Sequence, residues 1–151
     1  PQCTQPLHYD VHLFPDLEKD TFSGKVAIDI EVTGEPRDFL VVHTKFLEIA
    51  KTTLIDTSSG DEINISEAFE YKPNEFWVVR TQANLTPQCT YTLFLKFNGK
   101  LVGNGILGFY KSVYVDPATG QKRAMATSKF QPTYARRAFP CFDEPSFKST
   151  F

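Results

Sequence analysis

A polar segment at residues 124–130, together with the residue that follows it, has the spacing best suited to ligand binding. In an extended conformation Thr127, Lys129 and Gln131 share one face, because side chains alternate along a strand. Pro132 has no backbone N–H donor and is expected to end strand pairing at that point. Polar side chains at a strand end are well placed to line a cleft. A solvent-exposed strand end without a ligand explains the same pattern.

The three histidines, His8, His12 and His43, lack the H-E-x-x-H spacing with which a helix binds zinc. On a strand, His8, Asp10 and His12 would share one face and could ligate a metal at a sheet edge. A solvated polar face accounts for these residues equally well. The sequence contains neither the G-x-S-x-G segment that positions a serine nucleophile nor a glycine-rich phosphate loop. No catalytic residue and no metal ligand is therefore assigned within this chain.

Composition indicates one globular domain spanning residues 1–151. The chain is 41% hydrophobic and 23% charged, which excludes a disordered polypeptide. The net charge is −2, and both signs are spread along the chain without a basic stripe, which argues against a nucleic-acid partner. No apolar run approaches the roughly 20 residues of a membrane-spanning helix. Because the chain begins at Pro1 without a signal peptide, we expect a processed or excised piece of a longer protein.

Cysteines and glycosylation triplets bear on the cellular compartment. Cys3 and Cys89 could form a disulfide in a secreted protein, whereas Cys141 lies in an apolar stretch and is expected to be a buried free thiol. Asn64 and Asn84 each begin an N-x-S/T triplet, the acceptor pattern for N-glycosylation. Such triplets also arise by chance, so they favour an extracytoplasmic protein only modestly.

Period-two alternation of apolar and polar residues dominates the chain and predicts β-strands. Residues 39–43 and 76–79 are continuous apolar runs, which predict strands buried on both faces. Glycine, proline and asparagine clusters separate the strands. We therefore predict an all-β fold, an antiparallel twisted sheet or sandwich. One short helix is predicted over residues 133–139, near the C-terminal end, with Thr133 as its cap and Pro140 as its stop.

Four motifs, in order along the chain, resemble the zinc aminopeptidases of the aminopeptidase N type. They are P-L-H-Y-D-V-H-L at residues 6–13, F-S-G-K-V at 22–26, G-F-Y-K-S-V-Y at 108–114 and S-K-F-Q-P-T-Y-A-R-R-A-F-P-C-F-D-E-P at 128–145. The last motif is long enough to be specific, and the four together span nearly the whole chain. The resemblance identifies the chain as the N-terminal β domain of such an enzyme.

The resemblance implies substrate-binding roles for Gln131 and Lys129. In the family, a Glu or Gln at the position of Gln131 helps to hold the α-amino group of a peptide, beside a glutamate from a G-x-M-E-N loop in the next domain. Lys129 stands beside the pocket for the peptide's first side chain, where the family often has Gln. Its positive charge is expected to favour an acidic first residue or to disfavour a basic one.

The rest of the motif is interpreted as scaffold, with Arg136, Arg137, Asp143 and Glu144 ion-paired around the short helix. The resemblance implies that zinc, its ligands and the general base belong to a catalytic domain absent from this chain. The fragment alone is then expected to bind no catalytic zinc and to cleave no peptide.

The whole enzyme would remove N-terminal residues from peptides, working with the remaining domains of the same polypeptide. It would lie on the extracellular face of the plasma membrane behind a type II anchor, or be secreted, and it could form a homodimer. The alternative is a non-catalytic β module with the same fold, used for protein binding or adhesion.

Overall fold

The polypeptide forms β-strands and two single turns of 3-10 helix in the computed structural model, which describes residues 3–103 and 105–151. The strands are β1 (Thr4–Asp16), β2 (Thr21–Val32), β3 (Arg37–His43), β4 (Glu48–Asp56), β5 (Glu62–Ile63), β6 (Ile65–Tyr71), β7 (Phe76–Leu85), β8 (Thr90–Lys100), β9 (Gly108–Val115) and β10 (Lys122–Lys129). The 3-10 turns span Lys72–Asn74 and Ala135–Arg137. The predicted all-β class is confirmed. In the described ranges, no helix has the length and apolar character needed to cross a membrane.

Two antiparallel sheets pack face to face. The larger has the strand order β1-β2-β8-β4-β5 and the smaller has the order β3-β7-β6, while β9 and β10 form a two-stranded ribbon. The indole N–H of Trp77 donates to Thr52 Oγ1 at 3.1 Å, which joins the smaller sheet to the larger. Buried side chains from both sheets form a single hydrophobic cluster, so the arrangement is a sandwich with one core.

The inward-facing positions of the long strands supply most of that core. Val26, Ile28 and Ile30 of β2 are almost completely buried, and Leu95 and Leu93 of β8 lie opposite the first two of them. Burial of each such side chain contributes roughly 1.5–3 kcal/mol. Because side chains alternate across a strand, the charged residues between them necessarily face outward.

The apolar runs at residues 39–43 and 76–79 are not buried on both faces, contrary to the sequence prediction. In the first run Leu40 and Val42 are buried, but Phe39 is exposed and Val41 is only partly buried. The physical reason is that the three-stranded sheet uses one face for the core, and β3 is its edge strand. In this part of the chain, a prediction from apolar content alone overestimates how much of each strand is buried.

The three cysteines lie within the described ranges and are free thiols. Cys141 is buried, as predicted. Cys3 and Cys89 flank the end of β2 from opposite sides, because the Thr33 N–H donates to the Cys3 carbonyl at 3.0 Å and the Val32 N–H donates to the Cys89 carbonyl at 3.1 Å. Strands on either side of a third lie roughly 10 Å apart, beyond the roughly 7 Å that a disulfide bridges between Cα atoms. The Cys3–Cys89 disulfide suggested by the sequence is therefore not formed in this fold.

Part of the outer edge of β1 is covered by residues near the other end of the chain. His8 and Thr150 form a parallel bridge, although they are 142 positions apart. The Tyr9 N–H donates to the Thr150 carbonyl at 2.9 Å, and the Thr150 N–H donates to the Leu7 carbonyl at 3.1 Å. The ring of Phe151 stacks on Tyr9 with centroids 5.1 Å apart. These contacts satisfy backbone groups that an edge strand otherwise leaves unpaired.

Candidate functional site

The candidate site lies where β10 ends, at Lys129 and Gln131. Lys129 is the last residue of β10 and pairs with Gly108 at the start of β9. Phe130 is half buried, and its ring meets that of Phe139 edge to face with centroids 6.0 Å apart. Lys129 and Gln131 are both exposed. The contact of the Phe130 ring with Phe139 thus anchors the backbone between Lys129 and Gln131, whose side chains remain accessible to solvent.

A tight turn carries the chain away from this point. The Tyr134 N–H donates to the Phe130 carbonyl at 2.7 Å, and the peptide bond between Gln131 and Pro132 is cis. Strand pairing ends before Pro132, as the sequence predicted. The turn therefore fixes the direction in which the chain leaves the ribbon immediately after Gln131.

The helix predicted over residues 133–139 is only the 3-10 turn Ala135–Arg137. Thr133 does not cap it, because the N-cap position is occupied by Tyr134, which makes no side-chain capping hydrogen bond. The preceding turn uses the residues up to 134, and Pro140 prevents further extension. Too few residues remain between these two constraints for an α-helix.

Arg136 connects this turn to Asp143 and to the loop before β7 through buried charge. Its side chain is almost completely buried, with Nε donating to Asp143 Oδ2 at 2.8 Å and Nη1 donating to Glu75 Oε2 at 3.0 Å. Lys45 forms an ion pair with the other carboxylate oxygen of Glu75. A buried guanidinium requires such partners, because an unpaired buried charge is strongly disfavoured. The predicted ion pair between Arg136 and Asp143 is confirmed.

Arg137 is held by aromatic rings rather than by a carboxylate. Its guanidinium carbon lies 5.2 Å from the ring centroid of Phe46 and 4.6 Å from that of Tyr134. Phe46 adopts a left-handed backbone conformation with φ of 61°, which is uncommon for a bulky residue. Within the described ranges neither Arg137 nor Glu144 forms an ion pair, so the predicted pairing is wrong for these two residues. Stacking between two rings gives the Arg137 cation an alternative to a carboxylate.

Gly108 allows the ribbon to approach the 3-10 turn. It has φ of +78°, and a Cβ atom added there would lie 2.6 Å from the Cβ atom of Arg137. No side chain larger than hydrogen fits without displacement. Because Gly108 is the cross-strand partner of Lys129, this close approach also sets the position of Lys129.

The end of β3 and the loop that follows it are hydrogen-bonded to the same motif. The His43 N–H donates to the Cys141 carbonyl at 2.7 Å, and the Lys45 N–H donates to the Arg136 carbonyl at 2.9 Å. The Asp143 N–H donates to His43 Nδ1 at 3.2 Å. This last bond requires a free lone pair on Nδ1, so it forms only with the neutral imidazole.

The surroundings of His43 and Glu75 favour the charge states in which these two residues form the hydrogen bonds described above. Burial lowers the pKa of His43 below its ordinary value, and the positive charge of Arg136 lowers it further. Burial acts to raise the pKa of Glu75, but the hydrogen bonds from Lys45 and Arg136 outweigh it, so the pKa of Glu75 also lies below its ordinary value. Near neutral pH, His43 is therefore neutral and Glu75 is ionised.

The polar face of β1 does not form a metal centre. His12 Nε2 lies 2.9 Å from Asp10 Oδ1, whereas His8 Nδ1 is hydrogen-bonded to Thr150 Oγ1 at 2.7 Å. Among the residues that the structure describes, no group of three or more His, Cys, Asp or Glu side chains is placed to hold a metal ion. The zinc implied by the family resemblance thus has no fitting ligand set in ranges 3–103 and 105–151.

Comparison with known protein families extends over almost the whole chain. Residues 5–151 match the Peptidase M1 N-terminal domain. The chain belongs to the peptidase M1 family. This M1 domain is similar to the N-terminal domain of M1 aminopeptidases such as glutamyl aminopeptidase, and its four sequence motifs are consistent with that assignment.

Three relatives of the M1 domain are much longer proteins. Glutamyl aminopeptidase of Homo sapiens is 37% identical over 154 residues, which cover 100% of this chain and 16% of that protein. Glutamyl aminopeptidase of Sus scrofa is 38% identical with the same coverage. Thyrotropin-releasing hormone-degrading ectoenzyme of Homo sapiens is 35% identical over 147 residues, covering 97% of this chain and 13% of that protein. The chain thus spans about one sixth of the length of the curated relatives it matches.

The residues that support the candidate site were not identifiable from the sequence. The structure brings Lys129 and Gln131 to one end of the ribbon, as expected, but the network beneath them includes Lys45, Glu75 and His43, which lie far away along the chain. No local pattern marks these three. Gly108, by contrast, begins the G-F-Y motif, and a motif glycine can indicate a close backbone approach.

Replacement of Gly108 is expected to damage the ribbon more than replacement of another left-handed glycine. In G108A the added methyl meets Arg137, so the backbone strain and the steric clash together cost about 3 kcal/mol or more. In the control G120A the φ is also positive, at +68°, but nothing lies within 4 Å, and the cost is about 1–2 kcal/mol. Thermal unfolding measures the difference. Equal destabilisation by the two variants would contradict the close packing at Gly108.

Stability is expected to fall on mild acidification because of His43. The unfolded chain protonates this residue at a higher pH than the folded chain, so protons favour unfolding. The stability that neutral His43 contributes is present above its ordinary pKa of 6.5 and decreases as the pH falls toward the lower folded value. In H43N, which keeps an acceptor and cannot titrate, the melting temperature should decrease less steeply between about pH 7 and pH 5. A melting temperature that falls as steeply in H43N as in wild type would refute the role of His43.

Proposed function

We propose that this domain forms one wall of the substrate cleft of a zinc-dependent aminopeptidase that removes N-terminal residues from peptides. Gln131 accepts a hydrogen bond from the α-ammonium group of the peptide, and Lys129 lies beside its first side chain. The observation that carries the proposal is the geometry at the end of β10. There, two accessible polar side chains flank the half-buried Phe130.

The rigidity of the surrounding backbone supports this assignment. A binding group is effective when it is held in place before the ligand arrives. Gln131 follows the anchored ring of Phe130 and lies within the turn that the 2.7 Å hydrogen bond from Tyr134 to Phe130 closes. Arg136 holds the 3-10 turn beyond it. An ammonium ion has only donors, so the amide oxygen of Gln131 is a suitable partner.

The names of the relatives support a preference for peptides with an acidic first residue, beside which Lys129 is proposed to lie. Several of the matched relatives, including those of Homo sapiens and Sus scrofa, are named glutamyl aminopeptidase. A lysine ammonium at the mouth of the side-chain pocket attracts a carboxylate and repels a guanidinium. We therefore propose that the whole protein prefers peptides with an N-terminal acidic residue, and that Lys129 contributes to that preference.

We further propose that the zinc, its ligands and the general base belong to a part of the protein outside this chain. On this proposal the domain contributes substrate binding, and zinc supplies the polarisation of the scissile carbonyl and the activation of water. The sequence beyond Phe151 tests it directly. A G-x-M-E-N loop followed by H-E-x-x-H and a later glutamate would support the enzyme, whereas their absence would favour a non-catalytic β module.

An extracellular location is part of the same proposal. One relative is named an ectoenzyme. Asn64, between β5 and β6, and Asn84, near the end of β7, are both exposed, as glycan acceptors must be. We propose that the protein is secreted or lies on the outer face of the plasma membrane, and that it can form a homodimer. Treatment of the purified protein with a glycosidase specific for N-linked glycans would lower its apparent mass if either asparagine is modified.

Loss of the Gln131 amide is expected to reduce peptide hydrolysis by the full-length enzyme. In Q131A, one hydrogen bond to a charged group is lost, which corresponds to about a ten- to hundredfold lower kcat/KM. Q131E should retain or exceed wild-type activity, because a carboxylate forms a stronger charge-assisted bond. The control Q121A removes an exposed glutamine at the tip of the ribbon and should leave kcat/KM unchanged. A Q131A enzyme within twofold of wild type would exclude a role for Gln131 in substrate binding.

Neutralisation of Lys129 is expected to change the preference for the first residue. In K129Q the ratio of kcat/KM for N-terminal Glu to that for N-terminal Arg should fall about two- to tenfold, as for an accessible charge pair, with N-terminal Leu little affected. The control K122Q removes an exposed lysine from the other end of the same strand and should not change the ratio. A wild-type enzyme that prefers Arg to Glu, or a ratio unaltered in K129Q, would contradict the proposal for Lys129.

A further inference from the structure

Four basic side chains lie next to each other across the outer face of the larger sheet. His12 of β1 is paired with Lys25 of β2, Lys25 is paired with Lys96 of β8, and Lys96 is paired with Lys51 of β4. We call these four residues the basic row. Their sequence positions are far apart, and the strand register alone brings them together.

The side chains of the basic row project from the same face. Along β2 and β8 their immediate neighbours Val26 and Leu95 are buried in the core, whereas Lys25 and Lys96 are exposed. Lys51 is also exposed, at the bulge that shifts the register of β4. With neighbouring strands about 4.8 Å apart, the row extends for roughly 14 Å across four strands.

The three lysines have no compensating carboxylate in the fold. Across the described ranges, none of the ion pairs includes Lys25, Lys51 or Lys96. Beside the row, Asp10 of β1 forms an ion pair with His12. Like charges directly opposite one another destabilise a sheet. The row therefore concentrates positive charge at a cost in stability, on a chain whose net charge is −2.

Shallow depressions with aromatic walls lie on both sides of the row. One, of about 120 Å³, is lined by Phe94 and Ala27 beside Lys25 and Lys96, and Asp10 and His12 also line it. The other, of about 440 Å³, is lined by Phe14 and also reaches Lys25 and Lys96. The rings of Phe14 and Phe94 are 55% and 41% exposed, so both are available to a ligand. A partner that lies along the row can thus meet charge in the centre and apolar rings at either side.

We propose that the basic row binds a linear sulfated polysaccharide, with sulfate groups against the lysines and sugar rings against Phe14 and Phe94. The inference rests on the extracellular location given under the proposed function, where such polysaccharides occur. A linear polyanion matches a single row of charges on a flat face. An anionic membrane is a poorer match, because basic clusters that hold proteins at membranes typically contain about four to eight lysines or arginines.

Binding of a heparin oligosaccharide to the full-length protein tests the proposal. The triple variant K25Q/K51Q/K96Q should bind roughly a hundredfold more weakly at low salt, and its affinity should depend less on salt concentration. The matched control K72Q/K122Q/K148Q removes three exposed lysines elsewhere and has the same net charge as K25Q/K51Q/K96Q. It should bind within about threefold of wild type, as expected when only distant, screened charges change.

Further probes separate the sulfated polysaccharide from other partners. A desulfated heparin oligosaccharide should bind much more weakly than the sulfated one. Tighter binding to phosphatidylserine-containing vesicles or to a single-stranded DNA oligonucleotide would overturn the proposal, as would equal loss of heparin binding in the two triple variants.

Thermal stability gives a second readout that does not depend on activity. Because the row is repulsive, K25Q/K51Q/K96Q should melt at a higher temperature than wild type in the absence of ligand, and heparin oligosaccharide should stabilise wild type but not this variant. Stabilisation of both proteins by the oligosaccharide would overturn the assignment to the basic row. Peptide hydrolysis by the same preparations reports separately on the proposed cleft, so failure of one proposal is distinguishable from failure of the other.

Discussion

The buried guanidinium of Arg136 is the interaction on which the C-terminal part of the fold depends. It lies between two carboxylates, Asp143 in its own motif and Glu75 in the loop before β7. Exchange of a buried ion pair for apolar residues is often neutral, but removal of one partner leaves an uncompensated charge and costs about 3–5 kcal/mol. The pair therefore specifies one arrangement of these segments rather than merely adding stability. Through Lys45 and His43, the same arrangement extends to the loop after β3.

Along the motif at residues 128–145, side chains that hold the structure alternate with side chains that remain exposed. Phe130 and Arg136 point inward and hold the turn, while Lys129 and Gln131 remain accessible. Arg137 links the turn to the ribbon, because its side chain lies against Gly108 and between two aromatic rings. The exposed pair consequently rests on contacts from three separate parts of the chain. Most of a conspicuous sequence motif can thus serve to position a small number of side chains.

The strands were largely predictable, because the alternation of apolar and polar residues depends on local sequence alone. Whether a strand is buried on one face or on both was not predictable, because it depends on which other parts of the chain pack against the sheet. For this reason the burial of Phe39 was predicted wrongly. The helix over residues 133–139 was overestimated for a similar reason, since the turn before it consumes residues that local propensity assigns to a helix. The basic row was invisible in the sequence, where the charges appear evenly spread. The register between strands that are distant in sequence places these charges next to one another in the sheet.

The parallel bridge between His8 and Thr150 has a consequence for how the domain is made. Contacts that join positions 142 apart give the fold a high contact order, and such topologies form slowly because a long loop must close first. During synthesis, β1 emerges from the ribosome early and waits with part of one edge uncovered until Thr150 follows. The nascent strand is therefore exposed to pairing with other chains while the residues between His8 and Thr150 are being synthesised. The charged and polar side chains of Asp10 and His12 on the strand help to limit such association.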